Sequence, residues 1–163
     1  MLKRVIATIS AAAVIFLSVP ALSQAAARNA RQMAPLQYLI GTWHCSWVSG
    51  SNTGSEDQVF ETALGGAWLA EKEIVLDRAG KPVVATIHYT GYDPKTGNYM
   101  HVGPDADGTF ELAQSADAHM WSNPIEKTAF VHTKISDTKR TMVEKDRING
   151  KPVTFAMTCT KAE

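Results

Sequence analysis

Five histidines, two cysteines and four tryptophans are the residues of this 163-residue chain with the most chemistry to offer. His88 and His101 flank the turn Asp93-Pro94-Lys95-Thr96-Gly97 on what read as antiparallel strands. If Thr90 faces His101, the two rings share one sheet face, diagonally placed and within reach of each other. A slip of one residue puts them on opposite faces. Two histidines in one pocket can bind a metal, polarise a ligand or move protons. Two ordinary strand histidines are the commoner reading, and no pair among the five has a metal-site spacing, so no metal is expected.

The other candidates are weaker. Asp105, Asp107 and Glu111 surround a turn, and an Asp-x-Asp-Gly run can hold calcium, but the remaining ligands of a calcium loop are missing and a plain hairpin turn is expected. Ser46, Ser115 and Ser122 lack a nucleophile elbow. Glu144-Lys145-Asp146-Arg147 alternates in sign and reads as a solvated face. Trp47, Trp68 and Tyr89, with other aromatics, suit either a cavity for a flat or acyl apolar ligand or a filled core.

The elements that position these residues follow from turn spacing. Trp43, Cys45 and Trp47 alternate with polar residues at period two after Gly41. Turn signals then recur about every 8–14 residues, with no long helix after residue 40, which indicates an all-β meander. Strands are expected at 42–47, 59–62, 67–76, 83–92, 99–102, 109–113, 127–135, 140–148 and 153–160, with a turn cluster at 50–54. Asn149-Gly150 marks a tight hairpin. In 67–76 either alternate set can face inward. A meander of eight to ten strands disposes of its edges by closing, so a closed up-and-down antiparallel barrel with a short N-terminal helix is expected. Cys45 in the first strand and Cys159 in the last stand 114 positions apart, and a disulfide between them would make those strands neighbours.

Location is read from residues 1–27. Lys3 and Arg4, an apolar run and a small-residue cluster have the order of a secretory signal peptide. Without it, residues 28–163 form a single domain with 14 basic and 16 acidic residues. The expected product is periplasmic or secreted, which favours disulfide formation. Near-zero charge argues against nucleic acid as a partner, and no stable membrane insertion is expected after cleavage.

Leu36-Gln37-Tyr38-Leu39-Ile40-Gly41-Thr42-Trp43 resembles the opening of calycin, lipocalin-like barrels, a short helix followed by Gly-x-Trp. Leu64-Gly65-Gly66-Ala67-Trp68-Leu69, with Thr90-Gly91-Tyr92-Asp93 and Lys95-Thr96-Gly97, resembles an uncharacterised group of bacterial calycin-like domains. The resemblance implies a barrel with Trp43 at its closed end under the N-terminal helix, and carries no activity with it. Nitrobindin-type haem barrels are more distant. Gly41 and Trp43 match their Gly-x-Trp-x-Gly-x-Gly, but Cys45 and Trp47 replace both later glycines, and the final strand has no histidine. No haem or other cofactor is expected.

These observations lead to an exported binding or carrier domain for a small apolar or amphipathic ligand, with Trp47, Trp68, His88, Tyr89 and His101 lining the cavity. Two alternatives stay open. One is an isomerase or cyclase using His88 or His101 as acid or base, and the other is an interaction module with a filled barrel.

Overall fold

The structure is a computed structural model that describes residues 27–106, 108–125, 127–148 and 151–163. The export segment apart from Ala27, Asp107 of the acidic turn, and the Asn149-Gly150 hairpin therefore lie outside the described residues.

A helical turn over residues 27–32 leads into a 3-10 helix, Ala34–Leu39, with Pro35 in its first turn, where a missing N–H costs nothing. Ten strands follow among the described residues. They are β1 Gly41–Ser49, β2 Asn52–Ala63, β3 Trp68–Leu76, β4 Pro82–Asp93, β5 Asn98–Pro104, β6 Phe110–Ser115, β7 Met120–Ser122, β8 Ala129–Ser136, β9 Lys139–Ile148 and β10 Lys151–Lys161. Each pairs antiparallel with its neighbours in sequence, and β1 pairs with β10, so the sheet closes with no free edge. This up-and-down barrel is the lipocalin-like architecture that the resemblance implies.

The disulfide expectation holds. Cys45 and Cys159 are directly opposite each other on β1 and β10 and are bonded. The link ties the seam of the barrel and spans 114 positions of chain.

Two local expectations need correction. The turn cluster at 50–54 is shorter than its composition suggests, because Ser49 already pairs with Asn52 and only Gly50 and Ser51 connect them. Gly54 lies inside β2, where a Cβ would come within 2.3 Å of the Trp47 ring, so its bareness serves packing rather than turning. The other concerns β7, which has no counterpart among the expected strands. Three residues are too few to show an alternation.

One end of the barrel is plugged by the N-terminal segment. Trp43 is fully buried, its indole N–H donates to Leu39 O at 2.6 Å, and Met33, Leu36 and Leu39 pack in the same cluster. Tyr99 donates its hydroxyl to Gln32 O at 2.8 Å, and Lys161 Nζ to Tyr38 O at 2.9 Å. These bonds fasten the plug to β5 and to β10.

Candidate functional site

Beyond the plug, the inward side chains leave a chamber of about 320 Å³. The barrel is therefore not filled, and the alternative of a solid interaction module loses its premise. Strand alternation decides what lines the chamber. On β3, whose faces are interchangeable in the sequence, Leu69, Glu71, Glu73 and Val75 point inward and Trp68, Ala70, Lys72 and Ile74 outward. The inner set fits because Leu69 is needed at the plug, where it is 1% exposed. Period two then carries two glutamates into the chamber.

The lining is two-sided. Trp47 on β1, Met142 on β9, and Phe155 and Met157 on β10 supply a mainly apolar wall, interrupted on β9 by Arg140 and Glu144, with the Trp47 and Phe155 rings 5.7 Å apart. The opposite wall is polar. It is built from Glu71 and Glu73 on β3, His88 on β4, His101 on β5, Asp105 just after β5, and Glu111 on β6.

Of the two registers open across the Asp93 turn, the structure has the one that puts both rings on one face. Thr90 faces His101, and the His88 and His101 ring centroids lie 4.7 Å apart. His101 Nδ1 shares a hydrogen bond with Thr90 Oγ1 at 2.9 Å, which turns its Nε2 toward Glu111. His88 rests on bare backbone, because a Cβ at Gly103 would lie 2.5 Å from the His88 ring and 2.1 Å from Ile87 O. His88 Nε2 lies 3.3 Å from Asp105 Oδ1 and 3.7 Å from Glu111 Oε2, yet makes no hydrogen bond of good geometry.

Burial sets the protonation of this wall. It holds His101 down to about 3, with neighbouring His88 lowering it further. His88 is also lowered by burial, against the pull of Asp105. His132, on β8, is held well below the usual histidine range by burial and then by Arg140. Burial raises Glu71 to about 8, with Glu73 adding to the rise and Arg140 opposing it. Glu73 rises to about 7 through burial and then Glu56. Near neutral pH the imidazoles are thus uncharged with lone pairs available, and Glu71 keeps its proton. A protonated carboxyl beside neutral imidazoles can donate and accept protons, and the imidazoles with Asp105 and Glu111 can ligate a cation.

Arg140 divides the plug from the chamber. It is 1% exposed, lies over the Trp43 ring at 5.3 Å and the Phe60 ring at 5.2 Å, and donates to Gln58 Oε1. Gln58 in turn donates to Glu56 Oε1 at 2.6 Å. Arg140 is the one Lys or Arg among the described residues lining the chamber, against several carboxyls.

Of the residues expected to line the cavity, Trp47, His88 and His101 do so. Trp68 and Tyr89 lie on the outer face. Trp68 covers Gly91 from outside, where a Cβ would meet its ring at 2.2 Å, and Tyr89 is 42% exposed beside inward-facing His88. Their aromatic character suggests a lining role, but alternation assigns them outward once His88 and Leu69 point in.

Several lining residues carry no motif that singles them out. Glu71, Glu73, Gln58 and Arg140 look like ordinary solvated strand residues, and Glu144 in the sign-alternating stretch also borders the chamber. A usable signal was the second alternation of 67–76, in which Leu69 and Val75 bracket the two glutamates.

No family model matches this chain, and no curated protein matches it. Among solved structures it is similar to lobster apocrustacyanin A1, at 9% identity and TM-score 0.42, covering 84% of this chain and 68% of that one. The S-type phycobiliprotein lyase of Guillardia theta is 12% identical with TM-score 0.47, covering 84% and 97% respectively. Apocrustacyanin C1 is 8% identical with TM-score 0.42, covering 84% and 68%.

Proposed function

We propose that this chain is an exported barrel that binds a small amphipathic molecule. Its apolar body would lie against Trp47, Met142, Phe155 and Met157, and its polar end, cationic or rich in hydrogen-bond donors, would face the acidic wall. The observation that carries this reading is the two-sided chamber in a closed barrel. Ligand sites of this kind combine apolar area with a few convergent polar groups. The sequence-based expectation of an apolar or amphipathic ligand is thereby narrowed. A purely apolar ligand would strip water from carboxyls without replacing their hydrogen bonds, and an anionic one would face Asp105 and Glu111 at close range.

The Cys45–Cys159 bond fits an oxidising compartment, extracellular or periplasmic. Among the described residues no helix is long and apolar enough to cross a membrane. Export by the segment at 1–27 is the reading that joins these facts.

The test is a matched series of long-chain amines, alcohols and fatty acids, followed by tryptophan fluorescence and melting temperature. Amines are expected to quench fluorescence and raise the melting temperature, alcohols to do so more weakly, and fatty acids not at all at neutral pH. Trp47→Phe should remove most of the quenching while binding persists by melting temperature. Equal or tighter binding of the fatty acids, or no response to any member, would overturn the proposal.

A further inference from the structure

The polar wall has a feature that binding of an amphipathic molecule does not require. Its imidazole nitrogens and carboxylate oxygens come together around His88 from four strands and a turn. His88, Asp105 and Glu111 present ligand atoms that all lie within 4.8 Å of one another, and so do Glu71, His88 and His101. Three of the separations are 3.3 Å (His88 to Asp105), 3.7 Å (His88 to Glu111) and 3.9 Å (His101 to Glu111). A tetrahedral ion with bonds of 2.0–2.1 Å holds its ligand atoms about 3.3 Å apart. His88 Nε2 and Asp105 already stand at that spacing, while Glu111 and His101 must draw in.

Three further observations point the same way. His88 is 3% exposed, and its Nε2 faces the two carboxylates at 3.3 and 3.7 Å without a hydrogen bond of good geometry. The Thr90 hydroxyl holds His101 by Nδ1, the outer-shell contact that leaves Nε2 for a ligand. Gly103 provides the bare backbone on which the His88 ring lies, so the ring is fixed before any ion arrives. The half-buried carboxylates of Asp105 and Glu111 crowd one another, and a divalent ion between them relieves their repulsion.

We propose that the chamber wall is a binding site for a divalent first-row transition ion of the zinc type. The ligands are His88 Nε2 and a carboxylate oxygen each of Asp105 and Glu111, with His101 Nε2, 3.9 Å from Glu111, completing the shell. Imidazole with carboxylate suits such ions better than calcium or magnesium, which take oxygen. Glu71 stands beside the two histidines, where it can hydrogen-bond a bound water. The site does not depend on the amphipathic ligand, and it assigns to His88 and His101 the metal role that their sequence spacing alone does not support.

The experiment uses full-length protein with its disulfide intact, stripped with a chelator and dialysed, with no organic ligand present. Zinc chloride is titrated calorimetrically while the histidine ring nitrogens are followed by long-range proton–nitrogen NMR. One ion per chain is expected, with micromolar or tighter affinity, and only the His88 and His101 ring signals should move. Glu111→Gln and His101→Gln should each weaken binding at least tenfold, and Thr90→Val, acting through His101, roughly tenfold. Cobalt chloride on wild type should give the intense visible bands of a four-coordinate ion, a readout that needs no variant. The proposal is overturned if neither ion binds at neutral pH. It is equally overturned if binding moves the ring signals of His44 or His119 instead, or survives both Gln substitutions unchanged. Amine binding by the stripped protein would leave the chamber reading standing even then.

Discussion

The plug and the chamber wall are made by the same alternation of strand residues, yet they resolve burial in opposite ways. At the plug, inward positions hold Trp43, Phe60, Leu69 and the Cys45–Cys159 bond, and the indole N–H has its acceptor. Along the wall, inward positions hold Glu71, Glu73, His88 and His101, and the oxygen of Thr86 and Nε2 of His88 find no hydrogen bond of good geometry. Burying polar groups without partners opposes folding. A barrel that needed only to be stable would carry apolar residues in both places. The contrast teaches that the plug holds the barrel shut while the wall keeps unspent binding capacity, and substitutions at the two should fail differently.

Breaking the seam has the largest expected effect. Replacing Cys45 and Cys159 together with serine should lower stability by about 4–5 kcal/mol in the chain-entropy model, measured by urea denaturation. Trp43→Ala should follow with a loss of about 3–5 kcal/mol. Variants that remain folded should keep their zinc affinity, since neither change touches the wall. A plug variant that folds normally but no longer binds would erase the distinction between the two regions.

The wall has its own signature in the pH dependence of the metal-free protein. Glu71 has a folded value of about 8, above its ordinary 4.5. The folded chain therefore keeps a proton that the unfolded chain releases, and stability declines as pH rises from about 4.5 to about 8. His101, at about 3 against an ordinary 6.5, acts in the other direction. The unfolded chain takes up a proton that the folded chain refuses, so stability also declines as pH falls from about 6.5 toward 3. Stability should peak in mildly acidic solution. Glu71→Gln should flatten the alkaline limb and leave the acid limb, as read from urea midpoints across pH. An unchanged alkaline limb in that variant would show that Glu71 is not the group responsible.

Substitutions on the outer face give the smallest effects. Tyr89→Ser and Trp68→Phe should change the affinity for amine probes or zinc by less than about twofold, because their side chains lie outside the barrel. A larger loss at Tyr89 would mean that binding occurs on the outer surface.

How much of this was legible in the sequence depended on how local the signal was. The closed barrel could be read from turn spacing, and the seam from two cysteines at the first and last strands. The Asp93–Gly97 turn could be read, with Asp93 accepting from Lys95 N at 2.9 Å and from Thr96 Oγ1 at 2.9 Å, but the choice between two registers across it could not. The acidic wall could not be read. Glu71, Glu73, Asp105 and Glu111 meet only after non-local strands pair, and a glutamate between apolar residues ordinarily signals solvent. Trp68 and Tyr89 were the converse case, aromatic residues that alternation places on the outside.

The central claim is that buried imidazoles and carboxylates surround one cation position inside a closed barrel. Crystals of the stripped protein soaked in zinc chloride, with diffraction recorded on both sides of the zinc absorption edge, test it most directly. The account predicts one strong anomalous peak inside the chamber, about 2.0–2.2 Å from His88 Nε2, His101 Nε2 and an oxygen each of Asp105 and Glu111. Anomalous density confined to the outer surface, with the chamber wall collapsed on itself, would contradict it.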